Sequence, residues 1–253
     1  MKSLLEESFN GKVVFITGAA HGIGLATARA FASEGAAVFL QDVDAVRLAS
    51  AHDAVASLTS SPVAPHVGDV RSLQDVQTAV ESCESELGPI DILINNAGIG
   101  PSQLSLDMTE EDWRFILDVN LGGVFNVAKC IAPSMVARGA GVILNMASSG
   151  GIATEPGHAH YAASKAGVLA LTRAMAHDLG PFGVRVCALC PGDVGTHAWD
   201  NVELARLYRQ RYAAGRPASA EEIAAVYLFL ASGAAQNLNG SAFIVDGGML
   251  AWE

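Results

Sequence analysis

The chain has 253 residues, with 15 Lys and Arg against 26 Asp and Glu, a formal charge of −11 and a sequence pI near 5.0. That length holds one large α/β domain or two small ones with a sizeable core, and 51% hydrophobic against 16% charged residues marks a globular chain. The acidic balance opposes nucleic acid and anionic membranes, both polyanions, and leaves a small molecule as the expected partner.

The opening "MKSLLEESFNG" has no apolar core of signal-peptide length and carries the acidic residues that transit peptides avoid. A cytoplasmic protein is expected. The first apolar, β-branched run, "KVVFIT", leads directly into "TGAAHGIG", which brings Gly18, His21, Gly22, Ile23 and Gly24 to the start of a helical pattern. Glycines at a strand-to-helix turn let backbone N–H groups approach a pyrophosphate, whose charge meets the positive end of the helix dipole. The spacing differs from G-x-G-x-x-G, and a tight turn alone would explain it. The second run, "AAVFLQD", closes on Asp42, 24 positions after Gly18. A carboxylate there accepts hydrogen bonds from the adenosine ribose hydroxyls and repels a 2′-phosphate, which favours NAD over NADP. Asp42 as a helix cap is the competing reading, but Asp44 is better placed for that.

The third run, "PVAPHV", is followed by "GDV" with Asp69 and Val70, and the fourth, "IDILIN", by "NNAG" with Asn96, Ala97 and Gly98. Both ends lie where a bound dinucleotide would pass, although turn chemistry places the same residue types there. The runs "GVILNMA", "VRVCAL" and "SAFIVD" follow, which makes seven strands, with helical patterns such as "SLQDVQTAVESCESELG" between them. Continuous apolar strands alternating with helices imply a parallel sheet covered on both faces. The fold class expected is α/β: a single doubly wound, Rossmann-type domain over 1–253, with a seven-stranded parallel sheet.

Cys187 and Cys190 make a C-x-x-C, but the odd offset on a strand sends them to opposite faces, so buried thiols are expected rather than a metal or redox pair. The most apolar window, "IAAVYLFLASGAA" from Ile223 to Ala235, is too short to cross a bilayer and reads as a buried helix. The rhythm breaks only at about 192–218, a substrate-loop insertion carrying Arg206, Arg209, Arg211 and Arg216. Arg209 and Arg211 are candidates for an anion clamp; a solvated helix face is the simpler explanation of the cluster.

In "HYAASK", Tyr161 and Lys165 stand one helical turn apart and share a face. A free phenol titrates near 10, so a base working near neutrality needs about 3–4 kcal/mol of help, and one cation about 5 Å away supplies roughly 3 kcal/mol.

Taken together, "TGAAHGIG", "NNAG", Asn120 in "LDVNLGG", Ser148 in "NMASSGG", "YAASK" and "PGDVGT" resemble, in order and spacing, the short-chain dehydrogenase/reductase family, in its compact branch of about 250 residues. The resemblance runs from Gly11 to Gly248. It implies that Tyr161 is the general acid/base, Lys165 its activator and ribose ligand, Ser148 the holder of the substrate oxygen, and Asn120 the anchor of a proton-relaying water. It also implies cofactor contacts from Pro191, Gly192, Val194 and Thr196, and a homotetramer or homodimer built on the helices beginning near Thr109 and Tyr161. The chain departs from the family in carrying Glu155, His158 and His160 before Tyr161, which are candidate substrate contacts. The histidines lack a convincing third ligand, and no metal is expected.

The function expected is an NAD-dependent oxidoreductase that interconverts a secondary alcohol, sugar or polyol hydroxyl with its carbonyl. A 3-oxoacyl-carrier-protein-type reductase is the alternative within the family, and a non-catalytic nucleotide sensor the alternative outside it.

Overall fold

The computed structural model describes residues 9–195 and 210–252. Seven strands form one parallel sheet: β1 Val13–Thr17, β2 Ala37–Asp42, β3 Val63–Val67, β4 Ile92–Asn95, β5 Gly141–Met146, β6 Val184–Pro191 and β7 Ala242–Val245. Their spatial order is β3-β2-β1-β4-β5-β6-β7. All seven coincide with the apolar runs; the five inner strands are buried almost throughout, since strands covered on both faces need apolar residues at consecutive positions, while the edge strands β3 and β7 are partly exposed. In β1, Val14 and Ile16 face one core while Val13 and Phe15 face the other, and every residue is buried. The register sets Val13 beside Ala37 and Val14 beside Ile92.

Helices α1 Gly22–Ser33, α2 Ala45–Ala56 and α7 Ala220–Ala231 cover one face; α3 Leu73–Glu86, α5 Gly123–Arg138 and α6 Ala159–Leu179 cover the other. On the first face Phe31, Leu48, Tyr227 and Leu230 pack on the sheet, and on the second Val76, Ile131 and Met135 do so, all 0–1% exposed. Each such aliphatic or aromatic side chain contributes roughly 1.5–3 kcal/mol by leaving water. Helix α7 overlaps the "IAAVYLFLASGAA" window and buries Ile223, Ala224, Tyr227 and Leu230. Cys187 joins the α1 and α7 side of the core and Cys190 the opposite side; both are free thiols, as their odd spacing implied.

Helix α4, Glu110–Leu117, continues into α5 through a π-helical segment, Asp118–Gly122. The combined run Glu110–Arg138 is long and apolar enough on composition to span a bilayer, but here it packs against α3, α6 and the sheet. Helices α2, α3, α4 and α7 begin with side-chain caps from Asp44, Ser72, Thr109 and Ser219, whereas α1 and α6 follow His21 and His158, which supply none. Both uncapped ends open on the same cleft. The strand order reverses between β1 and β4, and at such a switch point the crevice beyond the carboxyl ends of the strands is the expected ligand site.

Candidate active site

A cleft of ≈ 690 Å³ occupies that position. Its nucleotide end is built from the turn after β1. Gly18 and Gly22 have φ of +63° and +55°, which favours glycine. A Cβ on Gly18 would stand 2.8 Å from Ala97 Cα, and one on Gly24 would collide with the Gly18 carbonyl oxygen. The turn is knitted to the end of β4: Thr17 Oγ1 accepts from Asn96 N at 3.1 Å and Ala97 N at 3.0 Å, while Asn96 Nδ2 donates to the carbonyls of Thr17 and Gly18. With no side-chain cap from His21, the first N–H groups of α1 are left for a ligand, which suits a pyrophosphate. Gly24→Ala is expected to lower the melting temperature and to weaken dinucleotide binding more than tenfold, checked by thermal unfolding and calorimetric titration.

Asp42 is 9% exposed. Its Oδ2 accepts from Ala20 N at 3.0 Å and its Oδ1 from Asp44 N at 3.1 Å, so the carboxylate is fixed at the edge of the turn with lone pairs to spare. Asp44, not Asp42, caps α2. Asp69 is held by Arg71 at 2.6 Å, and this cation beside it lowers its pKa. Arg71 in turn stacks on Phe115 at 4.8 Å.

The chemical end is formed by β5, β6 and α6. Ser148, in extended backbone two residues after β5, accepts from Gly150 N at 3.0 Å. Tyr161 and Lys165 project from the first turns of α6 into the same cleft. The Tyr161 ring lies between two glycines: a Cβ on Gly100 would be 3.0 Å from it and one on Gly150 3.4 Å. Lys165 is 2% exposed, with Nζ 2.9 Å from the Met146 carbonyl and 5.7 Å from the Tyr161 ring centroid. Burial pushes its pKa down to about 8. The Tyr161 phenol is raised, first by burial, with the Asp193 charge adding to the effect and the Ser148 hydroxyl opposing it. A nearby cation is expected to lower the phenol's pKa, but in the nucleotide-free protein the shift is upward and loss of water around the phenol is its first cause.

Most residues singled out in the sequence line this cleft: Gly18, His21, Ile23, Asp42, Asp69, Val70, Asn96, Ala97, Gly98, Ser148, Glu155, His158, Tyr161, Lys165, Pro191, Gly192, Val194 and Arg211. Gly22 and Gly24 shape the turn without lining it. Thr196, Arg206 and Arg209 fall outside the described residues. Asn120 sits behind the cleft in the π-helical segment, fully buried; its Oδ1 accepts from Ile99 N and its Nδ2 donates to Ile99 O and Ser164 Oγ, each within 3.0 Å. Its amide thus braces the loop after β4, as a kink residue would.

His160 is a correction. It is 0% exposed and outside the cleft, its Nδ1 accepting from Tyr161 N at 2.9 Å, because neighbouring helix positions point about 100° apart. Nor is Arg211 a free cation: Glu155 pairs with it, and Asp193 stands 3.8 Å away. Arg216 pairs with Glu222 on the surface. Cleft residues that sequence reasoning missed are Gln41, Arg71, Phe115 and Asp193. Asp193 lay inside the quoted "PGDVGT", and its charge was the available signal.

Residues 18–250 match the family described as enoyl-(acyl carrier protein) reductase. The chain is 40% identical to the 3-oxoacyl-[acyl-carrier-protein] reductase of Thermotoga maritima, over 95% of this chain and 98% of that one. It is 39% identical to the meso-2,3-butanediol dehydrogenase of Serratia marcescens, over 96% of each. Among solved structures, an NAD+-bound xylitol dehydrogenase superposes with a TM-score of 0.88 at 31% identity, covering 96% of this chain and 100% of that one.

Proposed function

The chain belongs to the short-chain dehydrogenase/reductase family, whose members act on alcohol and keto groups, and from this we propose an NAD-dependent enzyme with Tyr161 as general acid/base. The observation that carries the reading is the convergence of Ser148, Tyr161 and Lys165 on one wall of a cleft whose other end holds the glycine turn and Asp42. Gly18, the first turn of α1, Asp42 and Lys165 would hold the dinucleotide. When bound, its nicotinamide exchanges a hydride with the carbinol carbon.

For alcohol oxidation, Tyr161 takes the hydroxyl proton as phenolate; for ketone reduction it returns that proton to the oxygen. The Ser148 hydroxyl holds the same oxygen and stabilises the phenolate. Lys165 supplies positive charge beside the phenol, and the remaining lone pair of Asn120 Oδ1 takes a water that passes the proton outward. Substrates are small hydroxy or keto compounds such as secondary alcohols, sugars and polyols. We place the enzyme in the cytoplasm, which suits its four free cysteines. We also propose a homotetramer or homodimer using half-exposed Trp113 and Phe125 with the small-residue face of α6, a state that light scattering reads.

The preference for NAD rests on Asp42. Asp42→Ala is expected to narrow the NAD-over-NADP ratio of kcat/KM by about tenfold, through loss of ribose hydrogen bonds and of repulsion of the 2′-phosphate. An unchanged ratio would reduce Asp42 to a brace for Ala20.

A second reading, a 3-oxoacyl-carrier-protein reductase, is supported by the 40% identity to the Thermotoga maritima enzyme. Absorbance at 340 nm separates the readings: NADH formation from secondary alcohols and polyols supports the first, and NADPH consumption with a 3-oxoacyl thioester alone supports the second. Dinucleotide binding without turnover of either would support a sensor.

A further inference from the structure

Three segments remote in sequence meet at the substrate end of the cleft. Glu155 comes from the stretch between β5 and α6, Asp193 from just after β6, and Arg211 from the segment before α7. Glu155 is ion-paired with the Arg211 guanidinium, whose Nη1 stands 3.8 Å from Asp193 Oδ2. Asp193 is itself fixed: the Tyr212 hydroxyl donates to its Oδ2 at 2.6 Å, and the Tyr212 ring is 2% exposed beneath it. Two carboxylates thus face one guanidinium, a local excess of one negative charge among the described residues.

An anionic substrate entering here must displace Glu155 from Arg211 and lie against both carboxylates. A hydroxyl meets no such penalty. It donates to a carboxylate oxygen and accepts from a guanidinium N–H not used by Glu155, since Arg carries five donors and a carboxylate about four acceptor sites.

We infer that this set makes the cleft select a neutral polyhydroxy compound over an anionic one, and that Glu155 is the residue that determines this specificity. The inference rests on the oxidoreductase reading and adds the substrate's charge class to it. The three side chains are 39–51% exposed, so solvent and salt screen them. One unit of charge at contact range in that setting is worth about tenfold in kcat/KM.

The test uses pairs that share the reacting secondary carbinol and carry either a neutral CH2OH or a carboxylate beyond it, butane-1,3-diol with 3-hydroxybutanoate and propane-1,2-diol with lactate, assayed with NAD in oxidation and, with the corresponding ketones, in reduction. The wild-type enzyme is expected to favour the neutral member of each pair about tenfold or more, less so at high salt. Glu155→Gln should shrink that preference about tenfold, chiefly by lowering KM for the anion. Glu155→Asp, which keeps the charge, should preserve it, and melting curves confirm that each variant is folded. A wild-type preference for the anion, or an unchanged ratio in folded Glu155→Gln, would overturn the inference alone. Absence of turnover of every pair in both directions would overturn the small-hydroxy-compound reading, and the inference with it.

Discussion

Tyr161→Phe is expected to lower kcat for alcohol oxidation roughly 10³-fold while dinucleotide affinity stays within a few-fold. The size follows from removing a general acid/base, which contributes 10²–10⁴-fold in typical enzymes. The selectivity follows from packing. The ring is held between Gly100 and Gly150, and a phenylalanine fills the same slot without its oxygen. Stability should change little, since the hydroxyl that is lost lies in a cleft and not in a closed core. Steady-state kinetics and calorimetric titration read the two quantities separately. Activity within tenfold of wild type would remove Tyr161 from the chemistry.

Lys165→Met is expected to abolish measurable turnover and, at the same time, to stabilise the nucleotide-free protein. Lys165 is buried, with a pKa pushed down to about 8, so keeping it charged at neutral pH costs about 3 kcal/mol relative to the unfolded chain. Methionine removes that cost but leaves the Met146 carbonyl without its donor, which returns about 1–2 kcal/mol. The net gain is a few degrees in Tm for a domain of this size. The pH dependence has a definite sign. Below pH 8 the lysine is charged in both states and the full penalty applies. Between about 8 and 10.4 the unfolded chain binds the proton more tightly, so stability rises with pH as the penalty is relieved. The buried cysteines, whose pKa is raised by burial, act in the opposite direction in both proteins, so the lysine's share is the difference in Tm between Lys165→Met and wild type, which should narrow from pH 7 to 10. A variant that melts lower than wild type at neutral pH would mean that the ammonium is adequately solvated in place.

The two substitutions also mark what was legible in the sequence. The strands were, because a sheet buried on both faces leaves no alternative to continuous apolar runs such as Val13–Thr17 and Ile92–Asn95. Tyr161, Lys165 and Ser148 were, because the distances between them are set by one helix and one strand end. The sign of the phenol's shift was not, since spacing reports the partner's charge but says nothing of how much water is lost. The π-helical segment at Asp118–Gly122 was equally hidden: one extra residue in a turn barely disturbs an apolar period. Nor does any local pattern join Glu155 to Arg211, which lie in segments 56 residues apart and meet only in the folded chain. His160 misled for the opposite reason, because closeness in sequence to Tyr161 is not closeness in direction on a helix.

The bare start of α1 bears on how the protein can be measured. Four other helices are completed by their own Asp, Ser or Thr, but the first turn behind His21 awaits an acceptor from outside the chain. Part of the molecule's cohesion is therefore on loan from its ligand, and Tm should climb with the logarithm of free dinucleotide. Amide exchange at Ile23 and Gly24 should slow in step, which turns that one helical turn into a built-in gauge of occupancy.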